Sequence, residues 1–395
     1  MNSIKQGMNQ ESIQATNRAL ILEMIRRDKV CSRVNLARES NLKQATLTNI
    51  VNDFIACGLV EETGFIYGGK GRRSIGISIK NDFYGVIGLR LTRIGFMLGV
   101  FNLSGEMVES EEHIFDKNST PQIDISIMLK ETKKLINKFS DRKILSIGIA
   151  LPGPLNLEDG TILFMTEKEG WRTLNIKKQF QQELQLPIIV QHDACAGAWA
   201  QLWYNEKVSC EGVLLYMSVG QGVGSGLMID GEAFKGGWGI TGEIGHMSIN
   251  YDGIVCSCGN RGCLEKYTSS IAFKTNVNAR LGKNYSLDEI KKLIKENNPV
   301  AIEEYNKCCD YLGIGIVNIA NFLTPTYIVL GDDMSKILPD VMESRVNEVV
   351  NNRITTASDK NFQIIVDDMN INSELFGAAV GAIKEIFNNY AQFMI

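Results

Sequence analysis

The stretch CSCGNRGCLEKY, residues 256–267, carries three cysteines within eight residues, set among glycines and basic side chains. Together with His246 it reads H-x9-C-x-C-x4-C. Zinc takes four nitrogen or sulfur ligands in a tetrahedron, and three thiolates with one imidazole are a standard structural set. Gly259 and Gly262 allow the tight turns that would fold Cys256, Cys258 and Cys263 round one ion with His246. The spacing is C-x-C, not the C-x-x-C of dithiol redox sites. The competing reading is a group of buried free thiols. The other six of the nine cysteines are scattered along the chain, so reduced thiols are expected rather than a disulfide framework.

The surroundings of this stretch set its context. A chain of 395 residues, 44% hydrophobic and 22% charged, has the composition of globular protein and the length of two or three domains. No apolar run approaches the ~20 residues that span a bilayer, and MNSIKQGMNQESIQ at the start has no apolar signal core. A cytoplasmic protein without a membrane partner is expected. Charge is uneven: residues 1–80 hold 12 Lys+Arg against 7 Asp+Glu, whereas the whole chain is at −4. A basic head on an acidic body hints at a nucleic-acid partner at one end.

The head supports that hint. Leu20, Ile21, Met24 and Ile25 have helical spacing within 16–28. Ser32 is suited to cap a short helix over VNLARES. A third helix after Asn41 turns Leu47, Ile50, Val51 and Phe54 inward, with Gly58 at its end. Residues 59–80 read as two strands about a glycine-rich tip. Helix, helix-turn-helix and basic hairpin make the pattern of a winged helix-turn-helix over 1–80. Lys43, Gln44, Ala45, Thr46, Thr48 and Asn49 would face base edges in the major groove. Lys70, Arg72 and Arg73 in the wing would meet phosphate or the minor groove of double-stranded DNA.

From Tyr84 strands and helices alternate as in an α/β body. Two antiparallel strands come first, then a helix at 121–139 and the buried strand ILSIGIALPG. PIIVQHD, VLLYMSVGQGVGSGLMIDG and TYIVLGDD supply later strands, and ELFGAAVGAIKEIF at 374–387 reads as a closing amphipathic helix.

GEIGH (242–246) followed by CSCGNRGCLE (256–265) resembles the signature of the ROK family of sugar-responsive repressors and sugar kinases. LPGPL (151–155), HDA (192–194) and SVGQGVGSG (218–226) stand in the expected order. With the head included, the chain looks most like the xylose and N-acetylglucosamine repressor branch. The resemblance implies an actin/hexokinase-like, two-lobed α/β ROK domain over 81–395. Its first lobe would span about 81–191 with the C-terminal helix 374–395, and its second lobe about 192–373. It also implies a sugar site built from Gly153, Asp193, Glu243, His246 and Glu265, with His192 in place of the family's Asn. The charged stretch 166–171 departs from the family's usual approach to Trp171. Kinases of the family carry a loop like G-x-D-x-G-G-T that holds Mg²⁺ and phosphates. Here Gly88-Leu89-Arg90-Leu91-Thr92-Arg93-Ile94 puts Arg90 at the Asp, and Asp332 follows Gly331 where a second glycine is expected.

The leading expectation is therefore a non-enzymatic, sugar-controlled repressor with a structural Zn²⁺, acting on a near-palindromic operator as a homodimer or dimer of dimers. The alternatives are an ATP-dependent sugar kinase, which Arg90 opposes, and a regulator governed by another protein.

Overall fold

A computed structural model describes residues 10–67, 73–163, 165, 170–236, 241–354 and 362–393. The chain opens with α1 (Gln10–Asp28), β1 (Cys31–Ser32), α2 (Arg33–Ser40), α3 (Gln44–Ala56), β2 (Val60–Tyr67) and β3 (Arg73–Ile79). The Ser32 hydroxyl accepts from the Asn35 amide and caps α2, as its type predicts. Leu47, Ile50, Val51 and Phe54 form the buried stripe of α3, and Gly58 leaves that helix at φ +76°. In α1 the stripe is Ile21, Leu22, Met24 and Ile25. Leu20, expected inside, is 43% exposed, because Leu22 takes the inward position. Strands β1, β3 and β2 form one small antiparallel sheet.

The body begins with β4 (Tyr84–Leu91), β5 (Gly95–Phe101), β6 (Met107–Ile114), α4 (Pro121–Lys138), β7 (Lys143–Leu151), β8 (Leu155–Asn156) and β9 (Thr161–Ile162). It continues with α5 (Ile176–Leu184), β10 (Ile188–His192), α6 (Asp193–Tyr204), β11 (Val213–Val219), β12 (Val223–Ile229) and β13 (Glu232–Ala233). Next come α7 (Glu265–Thr268), α8 (Ser270–Leu281), α9 (Leu287–Lys295), α10 (Pro299–Leu323), β14 (Tyr327–Gly331), α11 (Pro339–Arg353) and β15 (Gln363–Val366). The last elements are α12 (Ser373–Asn388) and α13 (Tyr390–Phe393).

Two five-stranded sheets result, ordered β10-β7-β4-β5-β6 and β13-β12-β11-β14-β15. Taken in chain order, the first strand of each sheet (β4 or β11) pairs antiparallel with the second and parallel with the fourth, which pairs parallel with the fifth. The same topology therefore occurs twice, although the sequence carries no recognisable repeat. Strand order fixes only where apolar faces must lie, and many residue choices meet that demand. Central β4 is buried throughout, whereas edge strand β6, MVESEEHI, alternates exposed and half-buried positions with charged side chains.

Helix α12 was expected to be amphipathic. Instead its residues from Ser373 to Val380 are all buried, with Ala382, Ile383, Ile386 and Phe387. It packs against α6, β7 and β4 and also against α1, so no broad face remains for water. One apolar cluster runs from Ile21, Ile25, Val51 and Phe54 of the N-terminal unit to Ile383, Ile386 and Phe387. The Arg26 guanidinium lies over the Trp203 ring at 3.7 Å, and the Tyr84 hydroxyl donates to the Cys57 carbonyl at 2.9 Å. The N-terminal unit is thus joined to the body by a shared core.

Small residues allow this packing. A Cβ at Gly377 would sit 1.7 Å from the Ala196 carbonyl oxygen, and one at Gly148 would sit 1.8 Å from that of Ala378. Alanine in a helix interior ordinarily gains about 1 kcal/mol over glycine. The backbone contact reverses that sign: Gly377→Ala is expected to destabilise the chain by about 1–3 kcal/mol, read as a lower midpoint in chemical denaturation.

Candidate functional site

The candidate site lies at the carboxyl ends of the parallel strands of both sheets, where open α/β sheets place their ligands. Arg90 is near the end of β4, and Gly153 lies beyond β7. His192 ends β10, and Asp193 begins α6. Ser218 is near the end of β11, and Asp332 follows β14.

His192, Asp193 and Glu243 gather about Gly153. A Cβ there would fall 2.4 Å from His192 Nε2 and 2.9 Å from Glu243 Oε1, so only glycine leaves this approach open. His192 Nε2 stands 3.6 Å from Asp193 Oδ1. Burial works against a charged His192, but the Cys195 thiol and the Asp193 and Glu243 carboxylates outweigh it and push the imidazole up to about 9. His192 Nδ1 is buried without a hydrogen-bond partner. Burial raises the Glu243 carboxyl above its usual range, while His192 and His246 oppose the rise and Asp193 and Glu265 add to it. Gly153, the His192–Asp193 pair and Glu243, from three separate parts of the sequence, are thereby brought together, and His246 and Glu265 lie near enough to act on the Glu243 carboxyl. Trp171 is buried at 1% exposure; residues 166–169 lie outside the described residues.

The cysteine cluster also assembles. Cys256 Sγ is 3.7 Å from His246 Nδ1, and Cys258 Sγ is 3.7 Å from Cys263 Sγ. All four donor atoms lie within 4.8 Å of one another. Those separations exclude sulfur–sulfur bonds and match the ~3.7 Å edge of a tetrahedron with metal–sulfur bonds of about 2.3 Å. The donor set therefore fits one tetrahedral metal ion. Glu265 follows two residues after Cys263 and starts α7 at 5% exposure, so the same loop that presents the thiols fixes this carboxylate.

The two departures from the kinase pattern meet each other. Arg90 Nη1 and Nη2 donate to Asp332 Oδ1 and Oδ2 at 3.1 and 2.7 Å. Arg90 Nη1 also lies 3.3 Å from Glu374 Oε2. The Tyr216 hydroxyl donates to Glu374 Oε1 at 2.9 Å, and the Ser218 hydroxyl stands 3.0 Å from both Glu374 Oε1 and Asp332 Oδ2. Burial alone would raise the Asp332 carboxyl, but the Arg90 guanidinium and the Ser218 hydroxyl hold it below its ordinary value. Glu374, more deeply surrounded, is pushed up to about 7 by burial against the pull of Arg90. The sequence marks Arg90 and Asp332 separately as misfits. Opposite charge is the one trait that could have linked them, and it does not single out a partner 242 residues away; Tyr216, Ser218 and Glu374 carry no signal of their own.

The glycine loop 218–226 serves these contacts. A Cβ at Gly220 would lie 2.1 Å from Asp332 Oδ2, and one at Gly222 would lie 2.7 Å from both Arg93 Nη2 and Glu265 Oε2. Its glycines make room for side chains of this protein. A separate groove of about 400 Å³ between α10 and α11, lined by Asp310, Arg345 and Arg353, includes none of these residues.

On the N-terminal unit, Lys43, Gln44, Ala45, Thr46 and Asn49 are exposed and Thr48 is half-buried. They lie at the start of α3, where Lys43 is the N-cap without a side-chain cap bond. Arg73, exposed, opens β3; Lys70 and Arg72 lie outside the described residues. This surface shares no residue with the candidate site at the sheet ends.

A family model described as the ROK family matches residues 86–385. The xylose repressor of Caldicellulosiruptor bescii is 30% identical over 97% of this chain and 100% of its own length. The DNA-binding transcriptional dual regulator NagC of Escherichia coli K12 is 28% identical over 86% of each chain. The crystal structure of a ROK family transcriptional regulator, a homologue of the E. coli MLC protein, matches with a TM-score of 0.79 at 24% identity, covering 96% of this chain and 97% of that one. The body accordingly has the actin/hexokinase-like fold.

Removing Arg90 would leave two carboxylates buried beside each other. Arg90→Met is expected to cost about 3–5 kcal/mol, and Arg90→Met/Asp332→Asn to recover a large part of that loss, as measured by denaturant unfolding of both variants.

Proposed function

The chain belongs to the ROK family, and on that premise we propose that it is a transcriptional repressor of sugar-utilisation genes, released or tightened on DNA by a sugar in the cleft. One observation carries the reading. The cleft keeps carboxylates and a bare glycine suited to sugar hydroxyls, while its phosphate position is filled by the Arg90–Asp332 pair. Asp193, Glu243 and Glu265 accept hydroxyl protons, His192 and His246 offer ring nitrogens, and Gly153 admits the ring. By the family's kinase pattern a guanidinium held by carboxylates replaces the residue that would hold Mg²⁺ and phosphates, which supports the reading of a non-enzyme.

The N-terminal unit is the output, a winged helix-turn-helix over 1–80 attached to the ROK domain of 81–395. That domain divides into lobes of about 81–191 with 374–395 and about 192–373. Lys43, Gln44, Ala45, Thr46, Thr48 and Asn49 enter the major groove from α3, and Lys70, Arg72 and Arg73 meet phosphate or the minor groove. Two copies in a homodimer, or a dimer of dimers, place their α3 helices one DNA turn apart on a near-palindromic operator. Because the head shares a core with α12, a change in lobe arrangement carries the heads with it, by an amount bounded by the sugar's preference for one arrangement. No described helix is long and apolar enough to cross a membrane, and a DNA-bound regulator acts in the cytoplasm.

His246, Cys256, Cys258 and Cys263 hold a structural Zn²⁺. Four protein ligands leave no open position for a reacting water, so the ion would supply rigidity only. Ligation through Nδ1 leaves His246 Nε2 to face a sugar, its tautomer fixed by the metal.

Fluorescence anisotropy with operator duplexes tests the output. The full chain is expected to bind at low salt, and Lys70/Arg72/Arg73→Ala to lose at least about tenfold in affinity with a shallower salt dependence. If no duplex binds, or Mg²⁺-ATP-dependent sugar phosphorylation is found, the reading is wrong. Elemental analysis is expected to give about one zinc per chain, and Cys258→Ser to abolish it.

A further inference from the structure

Arg93 sits in the tight turn between β4 and β5 of the first sheet, yet its guanidinium reaches the second. Nη1 donates to the Gln221 carbonyl at 3.1 Å and Nη2 to Glu265 Oε2 at 3.2 Å. The turn beneath it is stiff. The Thr92 amide donates to the Gly95 carbonyl at 2.8 Å, and the Gly95 amide to the Thr92 hydroxyl at 3.2 Å. Glu265 Oε2 accepts a second bond, from the Val223 amide at 3.2 Å. Among the described residues, Oε1 has no hydrogen-bond partner.

We propose that Arg93 is the positioning residue of the sugar site: it locks Glu265 Oε2 from the opposite lobe and leaves Oε1 as the acceptor for a sugar hydroxyl. A carboxylate free to rotate would lose orientation entropy on binding, whereas one already held by a guanidinium and an amide loses little. The arginine is not an incidental neighbour, because the Gly222 backbone leaves room for it and for Glu265 at once: a Cβ there would strike both. It is also 17% exposed at a carboxylate that is 6% exposed, so the pair is shielded enough for its geometry to matter.

A consequence follows for control. Glu265 and its Val223 anchor belong to the second lobe and Arg93 to the first, so the acceptor gains its second anchor only while the lobes are close. Sugar affinity then depends on lobe closure, and by linkage sugar favours the closed arrangement. The head shares its core with α12 and the first sheet, so it lies on the Arg93 side of this contact.

The inference rests on the sugar-sensing reading, and calorimetry on the full-length chain separates the two. Wild type is titrated with D-xylose, D-glucose and N-acetyl-D-glucosamine, and the sugar that binds is carried forward. Arg93→Ala is expected to weaken it roughly tenfold, as loss of a charge-assisted hydrogen bond does, with zinc content retained. Arg93→Lys, which keeps the charge but not the fork, is expected to keep part of the affinity; it replaces Arg93→Ala if that variant does not fold. Arg93→Ala/Glu265→Gln is expected to lose no more than the weaker-binding single variant, the mark of two residues acting as one. Unchanged affinity in Arg93→Ala, or losses that add, would overturn the role of Arg93 alone. Wild type that binds operator but none of the sugars would overturn the sugar-sensing reading, and the role of Arg93 with it.

Discussion

Helix α12 packs at backbone distance against two neighbours, and the rest of the molecule is arranged round that closeness. Gly377 meets the Ala196 carbonyl of α6, and Ala378 presents its own carbonyl to Gly148 of β7. Dispersion gains come only at such contact distances, so each small residue here does work that a larger one would undo. The far half of the same helix, Ile383 to Phe387, enters the core of the N-terminal unit. Its first turn carries Glu374 into the cleft. One helix thus joins the head, the first sheet and the site.

The site shows how two residues that depart from the family's kinase pattern satisfy each other without a new fold. Two arginines three residues apart leave the first sheet and end in the second, Arg90 on Asp332 and Arg93 on Glu265. Burying Arg90 with two carboxylates is expensive in desolvation. The expense is met by paired geometry, by Ser218 and Tyr216, and by Glu374 taking up a proton more readily than an ordinary carboxyl. The glycine loop keeps the residues that would suit phosphate, but Gly220 and Gly222 now clear space for Asp332, Arg93 and Glu265. A glycine pattern therefore reports close approach without naming what approaches.

Much of this was legible in the chain itself. The α3 stripe, the Ser32 cap and the antiparallel pair β4–β5 follow from local periodicity, and the H-x9-C-x-C-x4-C spacing from ligand chemistry. Leu20 and α12 were misread for a common reason. Periodicity locates an apolar stripe, but which member of it faces inward, and whether a second face is also covered, depends on neighbours that arrive from elsewhere in the chain. Strands β6 and β15 escaped notice because one is a charged edge and the other only four residues long.

The amino-acid sequence yields the set of parts: a basic helical head, an α/β body, four residues spaced to hold a metal ion, and, through likeness to the family's kinases, Arg90 at the place of an expected Asp. The first three are properties of residue type and short spacing, and the last rests on likeness to the family. The misfits acquire their meaning only in the folded chain. Arg90 and Asp332 are 242 residues apart, and Arg93 and Glu265 are 172 apart. No local pattern relates such positions, because their pairing is created by two sheets of the same topology facing each other across a cleft. Charge that looks anomalous in one strand is neutralised from the other, and that neutralisation exists only once both sheets have formed.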